Sequence, residues 1–194
     1  RSMGYSFESA IADVIDNSIS ADANIVRVFF PTSPLESQTV GILDDGIGMN
    51  DEVLFEAMRY GSSSSEDTRK DNDLGRFGLG LKSASLSQCR MLTVVSIYDN
   101  EISAYKWDYN HVKKTKNWSL LSLSKADCYK LPYINHLTEQ NSGTLVLWSD
   151  FDTLSKANDG QVYNALDALK EVVSSHMSLI FHRFMSRSKN KIEM

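Results

Sequence analysis

The chain has 194 residues, enough to bury one substantial core, and its 42% hydrophobic and 23% charged content is ordinary for a globular protein. A net charge of −5 gives no strong sign of a nucleic-acid surface, and two cysteines without paired spacing to each other or to the four histidines support neither zinc nor a disulfide scaffold. No apolar run is long enough to span a bilayer, no leader peptide is evident, and no Ser/His/Asp or Cys/His spacing suggests covalent catalysis, so a cytoplasmic protein is expected.

The first predicted element is a helix over residues 6–20. At about 100° per residue, Ser9, Asp13, Asp16, Asn17 and Ser20 fall on one side, and Ile11, Val14, Ile15 and Ile19 on the other. Asp13 and Asn17, one turn apart, are neighbours that can hold a water and a hard cation together; a plain solvated helix face has the same pattern. Residues 24–30 alternate like a strand, Thr39 to Leu43 reads as a buried strand, and Asp51 to Arg59 as a helix. Gly78 to Gln88 reads as a further helix. Strands follow at Met91 to Tyr98, Glu101 to Asp108, Trp118 to Ser124 and Thr144 to Ser149, with a hairpin turn at Asp99-Asn100. The basic run His111 to Asn117 is expected at a hairpin tip in solvent rather than on nucleic acid. Asp159 to Met185 reads as one long helix with an apolar stripe through Leu166, Leu169, Val173, Met177, Ile180 and Phe184, either completing the core or leading into a second domain.

Two segments carry more chemistry than their elements require. Asp44-Asp-Gly-Ile-Gly-Met49 puts a carboxylate at a strand end beside two glycines, where it can accept a hydrogen bond from an exocyclic amine, which adenine has and guanine lacks at that position. A turn is the plainer alternative. A calcium loop counted from Asp45 fails, because Ile47 and Met49 would stand at ligand positions. Gly75-Arg-Phe-Gly-Leu-Gly-Leu-Lys-Ser83 opens a predicted helix with three glycines, so backbone amides of Gly75, Phe77, Gly78, Leu79 and Gly80 can approach a phosphate; a tight turn is the alternative. Between them, 59–73 is rich in glycine, serine and charge, as either a mobile cover or a solvated loop would be.

In this order the segments resemble the Bergerat-fold ATPases, the superfamily of gyrase B, the MutL proteins, the ninety-kilodalton heat-shock chaperone, histidine kinases and the MORC proteins. The resemblance covers roughly residues 5 to 150. Its motifs are matched by Asp13 and Asn17 followed by Ser18, by Asp44, Gly46 and Gly48 with Met49, by Gly75, Gly78 and Gly80, and by Gly143-Thr144 opening a late strand. The run Leu81-Lys82-Ser83-Ala84-Ser85 is nearest the MORC-like and chaperone-like branch. The resemblance implies a two-layer α/β sandwich, with helices over one face of a mixed, mainly antiparallel sheet. It implies ATP and Mg²⁺ as cofactors, with Asn17 as the Mg²⁺ ligand and Asp13 as the catalytic base. Asp44 would accept from adenine with support from the Thr144 hydroxyl or a bridging water, and Met49 would pack on the base. The glycines and Lys82 would meet the phosphates, and Arg76 would join them or form a lid salt bridge.

It further implies a lid over 60–80 that closes on nucleotide, a homodimer when ATP is bound, and DNA or protein clients reached through domains outside this chain. The start at Arg1-Ser-Met and the basic ending accord with a fragment, with an ATP-binding domain at 1–155 and a C-terminal helix at 156–194. Two departures stand out. The hydrolysing relatives usually have Glu where this chain has Asp13, and Ser20 replaces a common Asp, for which Asp16 or Asp22 would have to substitute. An ATP hydrolase, slowed by the shorter Asp13, is the expectation; a nucleotide-gated sensor with little turnover and a phosphotransfer kinase domain are the alternatives.

Overall fold

The computed structural model of the chain describes residues 5–59, 77–187 and 189–194, with backbone alone for residues 77–79. The expectations that fall on 60–76, including the body of the lid, Gly75 and Arg76, lie outside the described residues.

Helix α1, Phe7–Ser20, starts where the Ser6 hydroxyl caps the Ser9 amide at 3.4 Å and Glu8 complements the positive end of the helix. Its Phe7, Ala10, Ile11, Val14 and Ile15 are buried while Asp16 and Ser20 are exposed, as the periodicity requires. The chain then forms β1, Ile25–Phe29, and β2, Val40–Asp44, an antiparallel pair, followed by α2, Asp51–Met58, capped by the Asn50 side chain on the Val53 amide at 2.9 Å. Helix α3 runs Phe77–Gln88 and leads into the hairpin β3, Met91–Tyr98, and β4, Glu101–Asp108. Its turn residues Asp99 and Asn100 sit at φ 48° and 60°, two successive left-handed residues as a tight two-residue hairpin needs.

Strand β6, Gly143–Ser149, inserts between β2 and β3, and the short strands β5, Leu121–Ser122, and β7, Lys191–Glu193, form the edges. The sheet order is β5-β4-β3-β6-β2-β1-β7, antiparallel throughout except where β7 runs parallel to β1. This is the mixed, mainly antiparallel sheet expected from the sequence. One sheet face carries α1, α2, α3 and α8, Val162–Ile180, whose Leu166, Val173 and Met177 join the same core as Ile11 and Ile15. The opposite face is also covered, by the short helices α5, Lys125–Cys128, and α6, Ile134–Thr138, which place Cys128, Ile134 and Leu137 on Leu43, Val95, Leu145 and Leu147.

Three expectations need correction. The basic run is a helix, α4, Tyr109–Thr115, because the Asp108 carboxylate caps the amides of Asn110 and His111 at 2.9 and 3.1 Å and Lys116 closes the helix in the left-handed region. Of the strand expected at Trp118 to Ser124, only Leu121 and Ser122 pair; Trp118 instead meets Trp107 edge-on at 6.0 Å. The long C-terminal helix begins only at Val162, after Gly160 at φ 82°, and breaks at Phe181 before α9, His182–Met185; α7, Asp152–Ala157, lies upstream. Ile180, at the end of the expected stripe, is 49% exposed.

Candidate functional site

The helix-bearing face of the sheet is built from rows of side chains across neighbouring strands. Val40, Trp148, Leu92 and Trp107 form one row, and Ile42, Val146, Val94 and Tyr105 the next. The third row changes character: Asp44, Thr144, Ser96 and Ser103 stand side by side. Where the row turns polar, α1 and the loop after β2 leave a cleft of about 590 Å³ including its open mouth, bordered by Asn17, Ser18, Asp44, Gly48, Met49 and Thr144 among the residues singled out from the sequence. Val14, Ala21, Ile47, Ala57, Leu81 and Val146 complete it, making most of the wall apolar, as a flat organic ligand requires.

The Asp44 carboxylate is 5% exposed and held by three donors. One oxygen accepts the amides of Gly46 at 3.0 Å and Thr144 at 3.2 Å, and the other accepts the Ser18 hydroxyl at 2.8 Å. Burial pushes this carboxyl up to about 6, against the pull of the three hydrogen bonds, and the charge of Asp45 adds to the rise. The Thr144 support therefore comes from its backbone amide, because its hydroxyl meets Ser96 Oγ at 3.0 Å. The loop after β2 is pinned at several points. Asp45 accepts the amides of Asn24 and Ile25 at 2.7 and 2.8 Å, and the Ser142 hydroxyl donates to the Gly46 carbonyl at 2.8 Å. The Gln140 amide nitrogen, oriented toward the Asp44 carbonyl, lies 3.0 Å from it.

The glycines differ in what they permit. Gly48 has φ 72°, and a Cβ there would lie 2.0 Å from the Ile97 carbonyl oxygen; Gly46 is closed by the Ala21 carbonyl. Among the described residues, nothing lies within 4 Å of a Cβ built on Gly80. Phe77, Gly78 and Leu79 form the first turn of that helix. Lys82 is 1% exposed, does not border the cleft, and donates its ammonium to the Arg59 carbonyl at the end of α2; burial lowers its pKa, the charge of Glu56 opposes that, and Arg59 adds to the lowering. It ties the two helices flanking the 60–76 segment.

Asp13 is half-buried on α1, one turn from Asn17. A hydrogen bond to Asp13, then the Asp13 charge, raise the Tyr5 phenol above its usual range, so Tyr5 is a partner of this carboxylate that sequence reasoning missed. Asn17 borders the cleft, and its amide nitrogen is buried without a hydrogen-bond partner among the described residues. Among the described residues no three His, Cys, Asp or Glu side chains gather as a metal cluster, and no helix is long and apolar enough to cross a membrane.

The family model described as "Histidine kinase-, DNA gyrase B-, and HSP90-like ATPase" matches residues 5–144, which include all the cleft-lining residues named above except Val146. The chain belongs to this ATPase family. Among curated proteins, it is similar to ATPase morc-1 of Caenorhabditis elegans, 35% identical over 96 residues, covering 50% of this chain and 11% of that protein. It is also similar to ATPase MORC2B of Mus musculus, 32% identical over 81 residues, covering 40% of this chain and 8% of that protein. The chain thus matches about a tenth of the length of these relatives. The nearness to MORC-like members read from the run Leu81-Lys82-Ser83-Ala84-Ser85 agrees with both matches.

Proposed function

We propose that the cleft binds ATP, with adenine at Asp44 and the phosphates at the start of α3, and that Asp13 serves as general base in hydrolysis. The observation that carries this reading is the Asp44 carboxylate. A carboxylate offers about four acceptor positions, and three are taken by Gly46, Thr144 and Ser18. The one left over belongs to the oxygen bonded to Ser18, in a carboxylate that borders the cleft. It suits the exocyclic N–H of adenine; guanine presents a carbonyl there and would be repelled. The Met49 side chain supplies an apolar surface for the base.

Phosphates at the first turn of α3 would meet backbone amides and the positive end of a helix, with Gly78 and Gly80 allowing close approach. Gly80→Ala separates the two demands on this turn. Alanine should stabilise the helix by roughly 0.5–1 kcal/mol, because its methyl meets nothing within 4 Å among the described residues. Affinity for ATP should nevertheless fall, since that methyl occupies the space the phosphates need. A melting curve and a calorimetric titration on the same sample check both; unchanged ATP affinity would move the phosphates elsewhere.

Asn17 fits a magnesium ligand: it borders the cleft, its amide nitrogen is held by no acceptor among the described residues, and its amide oxygen is a hard donor. Mg²⁺ bound there would neutralise phosphate charge. Asp13 would take the proton of a water whose oxygen bonds to the γ-phosphorus while the bond to the ADP oxygen breaks. Asp is one methylene shorter than the usual Glu, and Tyr5 engages the same carboxylate. Both observations favour slow turnover, and they support a nucleotide-gated binding module as the second reading.

The test of the adenine assignment is pH. An ionised Asp44 is the stronger acceptor for the adenine N–H, so with a carboxyl at about 6 the affinity should fall, by up to about tenfold, between pH 7.5 and pH 5. Asp44→Asn should bind weakly with a flat profile, and comparison with it removes the titration of ATP itself. Stability runs the opposite way. The folded protein keeps this proton to about 6 while the unfolded chain releases it near 3.8, so the fold should lose about 3 kcal/mol as pH rises through that window. Parallel profiles for wild type and Asp44→Asn would contradict the assignment.

A further inference from the structure

Ser96 sits in the third, polar row between Thr144 on β6 and Ser103 on β4, at a position where the two preceding inward residues of β3, Leu92 and Val94, are apolar. Its side chain is 0% exposed and does not border the cleft. A hydroxyl can donate once and accept twice, and Ser96 meets three partners at hydrogen-bond distance. It donates to the Gly143 carbonyl at 2.9 Å, accepts the Met49 amide at 2.8 Å, and lies 3.0 Å from the Thr144 hydroxyl. Met49 lies in the loop between β2 and α2, where no strand partner fixes its amide. Gly48, at φ 72°, presses that loop against the Ile97 carbonyl, so the end of β3 is the surface on which the loop rests. Ser96 is the side chain there that bonds to it.

We propose that Ser96 is a positioning residue for base recognition. It fixes the Met49 amide and the Gly143-Thr144 corner to one oxygen, so that the Met49 side chain and the Asp44 carboxylate, which Thr144 holds through its own amide at 3.2 Å, address the same base. The proposal rests on the adenine reading of the cleft. A buried methyl in place of the hydroxyl leaves the Met49 amide and the Thr144 hydroxyl without an acceptor, and the loop carrying Met49 loses its register to the strand.

The experiment is calorimetric titration of wild type and Ser96→Ala with ATP, GTP and inorganic tripolyphosphate. The expected result is about a tenfold loss of ATP affinity and a similar loss of the ATP-over-GTP preference, with tripolyphosphate affinity unchanged. A merely structural role would lower all three affinities together, and an unchanged ATP-to-GTP ratio in Ser96→Ala would overturn the proposal. A wild type that binds ATP and GTP alike would remove the adenine reading and this proposal with it; a wild-type preference that survives in Ser96→Ala would remove the proposal alone. Amide exchange in the ligand-free wild type is a second measurement that does not depend on the variant folding. The Met49 amide should exchange at least about a hundredfold more slowly than an open loop amide, and fast exchange would overturn the contact on which the proposal stands.

Discussion

Asp13→Ala should release phosphate at least about a hundredfold more slowly than wild type while binding ATP with nearly unchanged affinity, the split expected when a general base is removed. The base acts on the attacking water, and the groups proposed to bind adenine and the metal, Asp44 and Asn17, are untouched by the change. Asp13→Glu should act in the opposite direction. The longer side chain reaches further into the site, and misplacement by about an ångström can cost a hundredfold in rate, so restoring the extra methylene should raise turnover. Tyr5→Phe, which frees Asp13 of its phenol partner, provides the check on whether that contact restrains the carboxylate. Single-turnover phosphate release, measured beside ATP affinity, decides the matter. Persistent turnover in Asp13→Ala would place the base elsewhere, and equal rates in Asp13→Glu and wild type would show that reach is not what limits this chain.

Gly48→Ala should be the most damaging single-methyl change in the described part of the site. At φ 72° any side chain is strained, and the new Cβ would lie 2.0 Å from the Ile97 carbonyl oxygen and 3.3 Å from the Gly143 amide nitrogen, so backbone must move. Left-handed strain and the displaced loop together should cost on the order of 3 kcal/mol or more, a fall in Tm of roughly 6–12 °C for a chain of this size. The loop cannot shift without lifting Met49 from Ser96, so ATP affinity should fall with the stability. A melting curve within about 2 °C of wild type would show that the loop is not pressed on β3 as described.

Much of this was legible in the sequence because strong local signals agreed with the tertiary demand. The amphipathic period of α1, the buried run of β2 and the Asp99-Asn100 turn each required no knowledge of the rest of the chain. Asn17, Asp44, Gly48, Met49 and Thr144 could be gathered into one site because each stands in a short motif on a helix, at a strand end or in the loop that follows β2. What escaped was decided by register. Ser96 looks like one more serine until β6 is placed beside β3 and its hydroxyl is seen to fall opposite Thr144. The signal was present, since Ser96 occupies an inward position after Leu92 and Val94, and a polar residue at a core position asks for a partner.

The errors have the same origin. His111 to Asn117 was read by its charge, but the Asp108 cap and the buried Val112 make Tyr109–Thr115 a helix. Trp118 was read by its strand propensity, but an edge position beside Trp107 let aromatic packing win. Lys82 is a different case: its ammonium reaches the Arg59 carbonyl, a contact between two helices that no local pattern predicts. The covering of the second sheet face by α5 and α6 likewise depends on where the chain returns after β5, and neither helix is long enough to announce itself by period.

The most direct test of the central claim is titration of the purified chain with ATP and a non-hydrolysable analogue, each with and without Mg²⁺, following heat and phosphate release together. The account predicts saturable binding of both nucleotides that strengthens with Mg²⁺, weakens strongly in Asp44→Asn, and is accompanied by slow phosphate release from ATP alone. Absence of binding, or binding that Asp44→Asn leaves intact, would contradict the assignment of the cleft.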